Sequence, residues 1–193
     1  MDVASVLDGL RRDPSFMQNV AAWERLPPRE ARYADFPEGL DPRLIAGLRS
    51  LGTAPPFTHQ AAAVEAALAG ENVVVVTGTA SGKTLCYNLP VLQALLSDPE
   101  ARALYLFPTK ALAQDQAAAL AELLTASQAV DQVPVRTYDG DTPRSDRSGI
   151  RDQARILVTN PDMLHMGMLP HHTQWSTLFE NLRWVVLDEL HVY

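Results

Sequence analysis

The stretch Asn72–Thr84, NVVVVTGTASGKT, constrains the fold of this chain more than any other. Val73 to Val76 is a β-branched run of the kind that makes a strand buried on both faces. It enters a loop of small residues, Thr77-Gly78-Thr79-Ala80-Ser81-Gly82, which ends in Lys83-Thr84 and leads into the apolar helix candidate LCYNLPVLQALL. Strand, small-residue loop, Lys-Thr and helix together form the context of a phosphate-binding loop. Small side chains let the backbone approach an anion closely, while successive N–H groups and the helix N-terminus supply partial positive charge. Lys83 is placed to reach the β- and γ-phosphates, and the Thr84 hydroxyl to hold Mg²⁺. The strict pattern has glycine where this chain has Thr77, and the nearest glycine is Gly78.

From Asn72 onward, strand and helix signals alternate. Strand candidates are 73–76, 103–107, 133–137, 155–158 and 183–187, and helix candidates are 85–96, 111–124 and 161–169. Alternation of this kind predicts an α/β fold with a parallel sheet and helices on both faces. The last strand candidate runs into Asp188-Glu189-Leu190-His191. Carboxylates at the C-terminal end of a parallel strand lie where such folds bind ligands. Asp188 would complete a Mg²⁺ site with Thr84, and Glu189 would orient or deprotonate an attacking water. Taken alone, the pair also fits a solvated acidic turn.

Upstream, residues 3–12 predict a short amphipathic helix ending near Pro14. The stretch 13–42, rich in proline and charge, reads as an extended arm that packs through Trp23, Tyr33 and Phe36. Asp41 caps a further helix with Pro42 in its first turn and Gly52 as its stop. The expected organisation is an accessory helix and arm over 1–54 and an ATP-binding domain over 55–193.

The net charge of −7 argues against attachment to nucleic acid by bulk positive charge, though not against a local basic track. Lys83 and Lys110 are the only two lysines, and both fall in candidate motifs. The single cysteine, Cys86, excludes an internal disulfide and reads as a small buried hydrophobe in a reducing, cytoplasmic setting. No stretch is long and apolar enough to span a membrane, and the first residues lack the pattern of a signal peptide.

TGTASGKT followed by DELH resembles the first RecA-like motor domain of a superfamily-two helicase of the DEAD/DEAH-box class. Phe57-Thr58-His59-Gln60 resembles that class's adenine-reading glutamine motif, which implies adenine contact by Gln60 with Phe57 beside it. Pro108 to Gln114, PTKALAQ, resembles a motif that touches the nucleic-acid backbone. Tyr138 to Thr142, YDGDT, and Thr159 to Leu164, TNPDML, resemble two further strand-contact loops. TGTASGKTLCYNLP, PTKALAQDQ, TNPDMLH and DELHVY together are similar to the bacterial mitomycin-repair-factor helicases and their fungal RecQ-four-like relatives.

The resemblance implies an ATP-dependent DNA helicase or translocase acting in DNA repair on single-stranded or forked DNA. An RNA helicase of the same class and a non-catalytic nucleotide-binding fragment are the alternatives. Residues 77–84 would cradle the phosphates, Lys83 and Asp188 would neutralise charge with Mg²⁺, Glu189 would handle water, and His191 would couple to a second motor domain. Thr109, Lys110, Gly140, Thr159 and Asn160 would grip a strand without reading its sequence. The resemblance also implies a C-terminally truncated RecA-like domain. A strand after DELH would belong between the valine run and the DELH strand, so a gap in the sheet is expected, with weak ATP binding or poor folding and no unwinding by this chain alone.

Several of these residues have simpler readings. Thr109 and Asn160-Pro161 also fit ordinary helix caps. Arg144, Arg147, Arg151 and Arg155 alternate with acids and read as a solvated face rather than a basic stripe. His171 and His172 read as loop histidines, and Met163, Met166 and Met168 as packing.

Overall fold

The computed structural model describes residues 2–27, 30–53, 55–78 and 81–192. By packing, the chain divides into Met1–Ala31 and Arg32–Tyr193. In the first unit, α1 (Val3–Arg12) is followed by α2 (Pro14–Met17), whose N-terminus is capped by the Asp13 carboxylate accepting from the Ser15 and Phe16 N–H groups. The Arg11 guanidinium lies 5.2 Å from the centre of the Trp23 ring.

In the second unit, α3 (Pro42–Ser50) begins as its sequence predicts, with the Asp41 carboxylate accepting from the Arg43 N–H. It ends at Gly52, whose φ of +76° is a left-handed conformation that costs glycine nothing. The remaining elements are α4 (Thr58–Leu68), α5 (Lys83–Ser97), β1 (Arg102–Leu106), α6 (Lys110–Ala126), β2 (Val135–Thr137), α7 (Arg147–Gln153), β3 (Ile156–Thr159), α8 (Ser176–Glu180) and β4 (Leu182–Leu187). Among the described residues, four strands form one parallel sheet in the order β2-β3-β1-β4.

Alternate residues of the central strands feed two cores. Ala103, Tyr105, Ile156 and Val158 face a core completed by α3, α5 and α6, whereas Leu104, Leu106 and Leu157 face a smaller one around Met168, Trp175 and Leu178. The helices therefore cover both faces, as the alternation predicts. Leu40, Leu44 and Leu48 belong to the larger core. Cys86 is buried, and burial pushes its thiol pKa up, as befits a packing residue.

Three local expectations need correction. The valine run 73–76 is not a strand: it follows an irregular path, with Val74 76% and Val76 88% exposed. Among the described residues β4 pairs with β1 alone, and a groove of about 370 Å³, lined by Val73, Val75, Val185 and Leu187, separates the run from β4. β-branched composition favours a pleated, half-buried setting, but a strand also needs a hydrogen-bonding neighbour. The helix expected over 161–169 is a π-helix, Met163–Met168, followed by a 3₁₀ segment, Leu169–Trp175. Of its methionines, Met168 is buried and Met166 stands 75% exposed.

The third correction concerns the arginines. Arg155 is not on a solvated face. Its buried guanidinium donates to the carbonyls of Gln132 (2.7 Å) and Leu95 (2.6 Å) and to that of Asp98, tying the end of α5 to the start of β3. Burial lowers its pKa, but the carbonyl fork holds the charge. Charge-assisted bonds of this kind are worth about 1.5–3 kcal/mol each when one partner is removed. Arg155→Ala is therefore expected to lower unfolding stability in urea by about 2–4 kcal/mol, while Arg144→Ala, at an exposed site, stays within about 0.5 kcal/mol. Equal effects of the two substitutions would contradict the assignment.

Candidate active site

The small-residue loop meets α5 at Gly82, which caps the helix with φ +73°. A Cβ there would collide with the Gln60 amide nitrogen, so both conformation and space require glycine. The Gln60 side chain is 3% exposed and fully engaged. Its amide donates to Gly82 O at 2.8 Å, and its carbonyl accepts from the Phe57 N–H at 2.8 Å. His59 Nε2 lies 3.2 Å from Ser81 O. Thus α4 braces the loop from behind through two side chains. Within the loop the Thr77 and Ser81 hydroxyls are bonded to each other, and Lys83 Nζ donates to Thr77 O at 3.4 Å. Gly78 is exposed. Thr79 and Ala80 lie outside the described residues.

The second half of the site comes from β4. The Asp188 N–H donates to Leu106 O at 3.1 Å, which carries the parallel pairing one residue past the strand. Glu189 then turns the chain with φ +52°, a conformation few non-glycine residues adopt and one that concentrates at functional sites. Its N–H donates to Asp188 Oδ1 at 3.0 Å, and its carboxylate lies 3.3 Å from His191 Nδ1. Lys83 and Asp188 line the same groove. Burial raises the Asp188 pKa, the Glu189 charge raises it further, and the Glu189 N–H and the Lys83 ammonium pull it back.

The donor set suits a small hard cation. Oxygen ligands would come from the Thr84 hydroxyl and the Asp188 carboxylate, and a desolvated carboxylate gains most from a cation. Thr84 Oγ1 lies 3.5 Å from Gln116 Oε1, which the Tyr87 hydroxyl also approaches at 3.3 Å. With its proton directed at Gln116, the Thr84 oxygen keeps lone pairs for a metal. Burial pushes the Tyr87 pKa up to about 12, so its phenol remains a neutral donor. Among the described residues no group of three or more His, Cys, Asp or Glu could hold a metal unaided.

A second set of residues lies at the same edge of the sheet. Thr109 caps α6, accepting from the Leu112 N–H at 3.3 Å, and Lys110 Nζ bonds Asp141 Oδ2 at 2.6 Å. Gly140 is exposed. Thr159 is 1% exposed and its hydroxyl donates to Tyr138 O at 2.6 Å, so it faces inward and supports the 138–142 loop rather than presenting a donor to solvent. Asn160 caps the following turn, accepting from the Met163 N–H at 2.8 Å.

Residues 57–193 match the DEAD/DEAH box helicase family. The chain belongs to that family. It is 51% identical over 176 residues to the uncharacterized ATP-dependent helicase YprA of Bacillus subtilis, covering 91% of this chain and 23% of the relative. To the ATP-dependent helicase HRQ1 of Saccharomyces cerevisiae it is 38% identical over 191 residues, covering 99% of this chain and 18% of the relative. The chain thus spans about a quarter or less of these helicases' length. Its fold superposes on the crystal structure of the DUF1998 helicase MrfA bound to DNA and AMPPNP with a TM-score of 0.90 and 47% identity, covering all of this chain and 26% of that one. The parallel sheet and flanking helices are a RecA-like α/β core, and the resemblance to the mitomycin-repair-factor and fungal RecQ-four-like group holds.

Gln60, Phe57 and the loop before α5 form one hydrogen-bonded unit. Lys83, Tyr87 and Asp188 line one groove, and Thr84 joins Tyr87 through their shared partner Gln116. Sequence reasoning missed two participants and one contact. Gln116 lies two turns inside α6, where nothing in the sequence marks it as reaching Thr84. Asp141 reads as one acid among many until its loop is folded. Tyr33 packs as its sequence context predicts, and what the sequence does not report is its partner: its ring stacks on Phe57 at 5.1 Å, and Phe57 stacks on His59 at 5.8 Å.

The Asp188 shift has a measurable consequence. A carboxyl whose folded pKa is raised stabilises the fold below its ordinary pKa, and that contribution is lost as pH rises through the raised value. Above its raised pKa the ionised Asp188 is therefore a net cost to the fold. Asp188→Asn is expected to raise the melting temperature by about 1–3 °C at neutral pH. The gain should shrink as pH falls below the raised pKa. A melting temperature lowered at neutral pH would contradict it.

Proposed function

We propose that the chain is the ATP-binding part of an ATP-dependent DNA helicase or translocase, with DNA repair as its setting and the cytoplasm as its compartment. Residues 55–193 would form the ATP-binding domain, and 1–54 an accessory helix and arm. The observation that carries this reading is that Lys83 and Asp188, 105 residues apart in sequence, open onto one groove and interact electrostatically. The likeness to MrfA, solved with DNA and AMPPNP, favours DNA over RNA. Among the described residues no helix is long and apolar enough to cross a membrane.

In this reading the small-residue loop wraps the phosphates of ATP. Lys83 exchanges the Thr77 carbonyl for phosphate oxygens, and Gln60 and His59 keep the loop's shape from behind. Thr84 and Asp188 would hold Mg²⁺, which when bound offsets the charge that builds on the phosphates. Glu189, turned out of the strand by its left-handed backbone, orients the attacking water and accepts its proton, and His191 beside it links the site to a second motor domain. Adenine contact by Gln60 requires the amide to release Gly82 or to share its acceptor. Thr109, Lys110, Gly140 and Asn160 would meet the sugar–phosphate backbone, with Thr159 supporting them. Mostly neutral donors of this kind suit a chain of net charge −7.

In the full-length chain, Lys83→Ala is expected to lower DNA-stimulated ATP turnover by at least about a hundredfold while single-strand affinity stays within about twofold. Unchanged turnover would remove Lys83 from the mechanism. Competition between matched DNA and RNA strands should favour DNA, and preference for RNA would support the RNA-helicase reading.

A further inference from the structure

The contact between Lys110 and Asp141 joins two loops that the proposed function assigns to strand binding. The loop carrying Asp141 is built to hold its shape. Asp139 is 7% exposed, and its Oδ1 accepts from the Asp141 N–H at 2.8 Å and from the Thr142 hydroxyl at 3.3 Å. The Thr142 carbonyl accepts from Arg147 Nε at 3.1 Å, and the same guanidinium lies 5.4 Å from the centre of the Tyr138 ring. Thr159 fixes the Tyr138 carbonyl from below. Asp139 is therefore consumed inside the loop, and Asp141 is the carboxylate left to turn outward, its side chain 79% exposed.

The outward carboxylate meets Lys110 at 2.6 Å, with the Lys110 side chain 46% exposed. Lys110 is one of two lysines, the other being in the phosphate loop, so it is the one ammonium available to the strand face. Its neighbours there are the neutral donors Thr109, Gly140 and Asn160. Asp141 holds an oxygen anion against the ammonium, and that hydrogen bond raises the Lys110 pKa. An ion pair this exposed is weak and opens readily to a competing anion.

We infer that Asp141 is an internal competitor for Lys110 that occupies the phosphate-binding ammonium until a nucleic-acid strand displaces it, and that it thereby holds down affinity for the strand. This rests on the proposed strand-binding face. Binding exchanges one anion for another at Lys110 and brings phosphate up to a displaced carboxylate. The site therefore presents no net positive charge before the exchange, and the contact yields less counterion release than a free lysine would give. A translocating protein must release its track at every step, and a built-in competitor favours release.

The test measures binding of the full-length chain to fluorescein-labelled oligothymidylate over a salt series, for wild type, Asp141→Asn, Lys110→Ala and the double variant. Asp141→Asn is expected to tighten binding about two- to fivefold at low salt and to steepen the slope of log K against log salt by about 0.7. Lys110→Ala should weaken binding and should abolish the gain from Asp141→Asn in the double variant. If Asp141→Asn weakens binding, the carboxylate positions Lys110 productively and the inference fails. The same gain in the Lys110→Ala background would show general charge repulsion and also overturns it. If neither single substitution changes affinity or slope, the strand-binding assignment of this face fails, and the inference with it.

Discussion

Parallel pairing at a single residue, Leu106, organises the whole functional edge. Leu106 is in register with Thr159 on one side and Leu187 on the other, and its carbonyl accepts the Asp188 N–H. Three strands therefore end together. In parallel strands all C-termini point the same way, so whatever follows each strand arrives at one rim. Thr109 and Lys110 follow β1, Asn160 follows β3, and Asp188 and Glu189 follow β4. Shifting β4 by one residue would turn its side chains to the opposite face and carry the acidic pair out of reach of Lys83.

The two halves of the rim are connected by side chains, not only by the sheet. Gln60 and His59 reach from α4 to the loop before α5, and Gln116 reaches from the middle of α6 to Thr84 and Tyr87. The first residue of α6 is Lys110. One helix, α6, thus carries a residue beside Thr84, the proposed metal ligand, and a residue of the proposed strand face.

Much of this could be read from the residues. The phosphate loop, the acidic strand end, the sheet strands at 102–106, 135–137, 156–159 and 182–187 and the Asp41–Gly52 helix all carry local signals of period, capping or glycine placement. The valine run shows the limit of such signals: four β-branched residues predict a strand, but strand formation depends on a neighbour that local sequence does not report. Arg155 shows another limit. Interleaved charges suggest a solvated face, and only the fold shows four carbonyls, of Leu95, Asp98, Ala101 and Gln132, converging on one guanidinium. Thr159 and Gln60 were legible as motif residues, but their hydrogen bonds show them supporting loops from within rather than standing at the surface.

The central proposal is that Thr84 and Asp188 would hold one and the same divalent ion when a nucleotide binds. It is tested most directly by Mn²⁺ titration of the full-length chain followed by electron paramagnetic resonance, with and without AMPPNP. The account expects one nucleotide-dependent Mn²⁺ per chain, weakened by Thr84→Ala and by Asp188→Asn, with the double variant little worse than either alone because both ligate the same ion. Full nucleotide-dependent Mn²⁺ binding in both single variants, or strictly additive losses in the double variant, would contradict it.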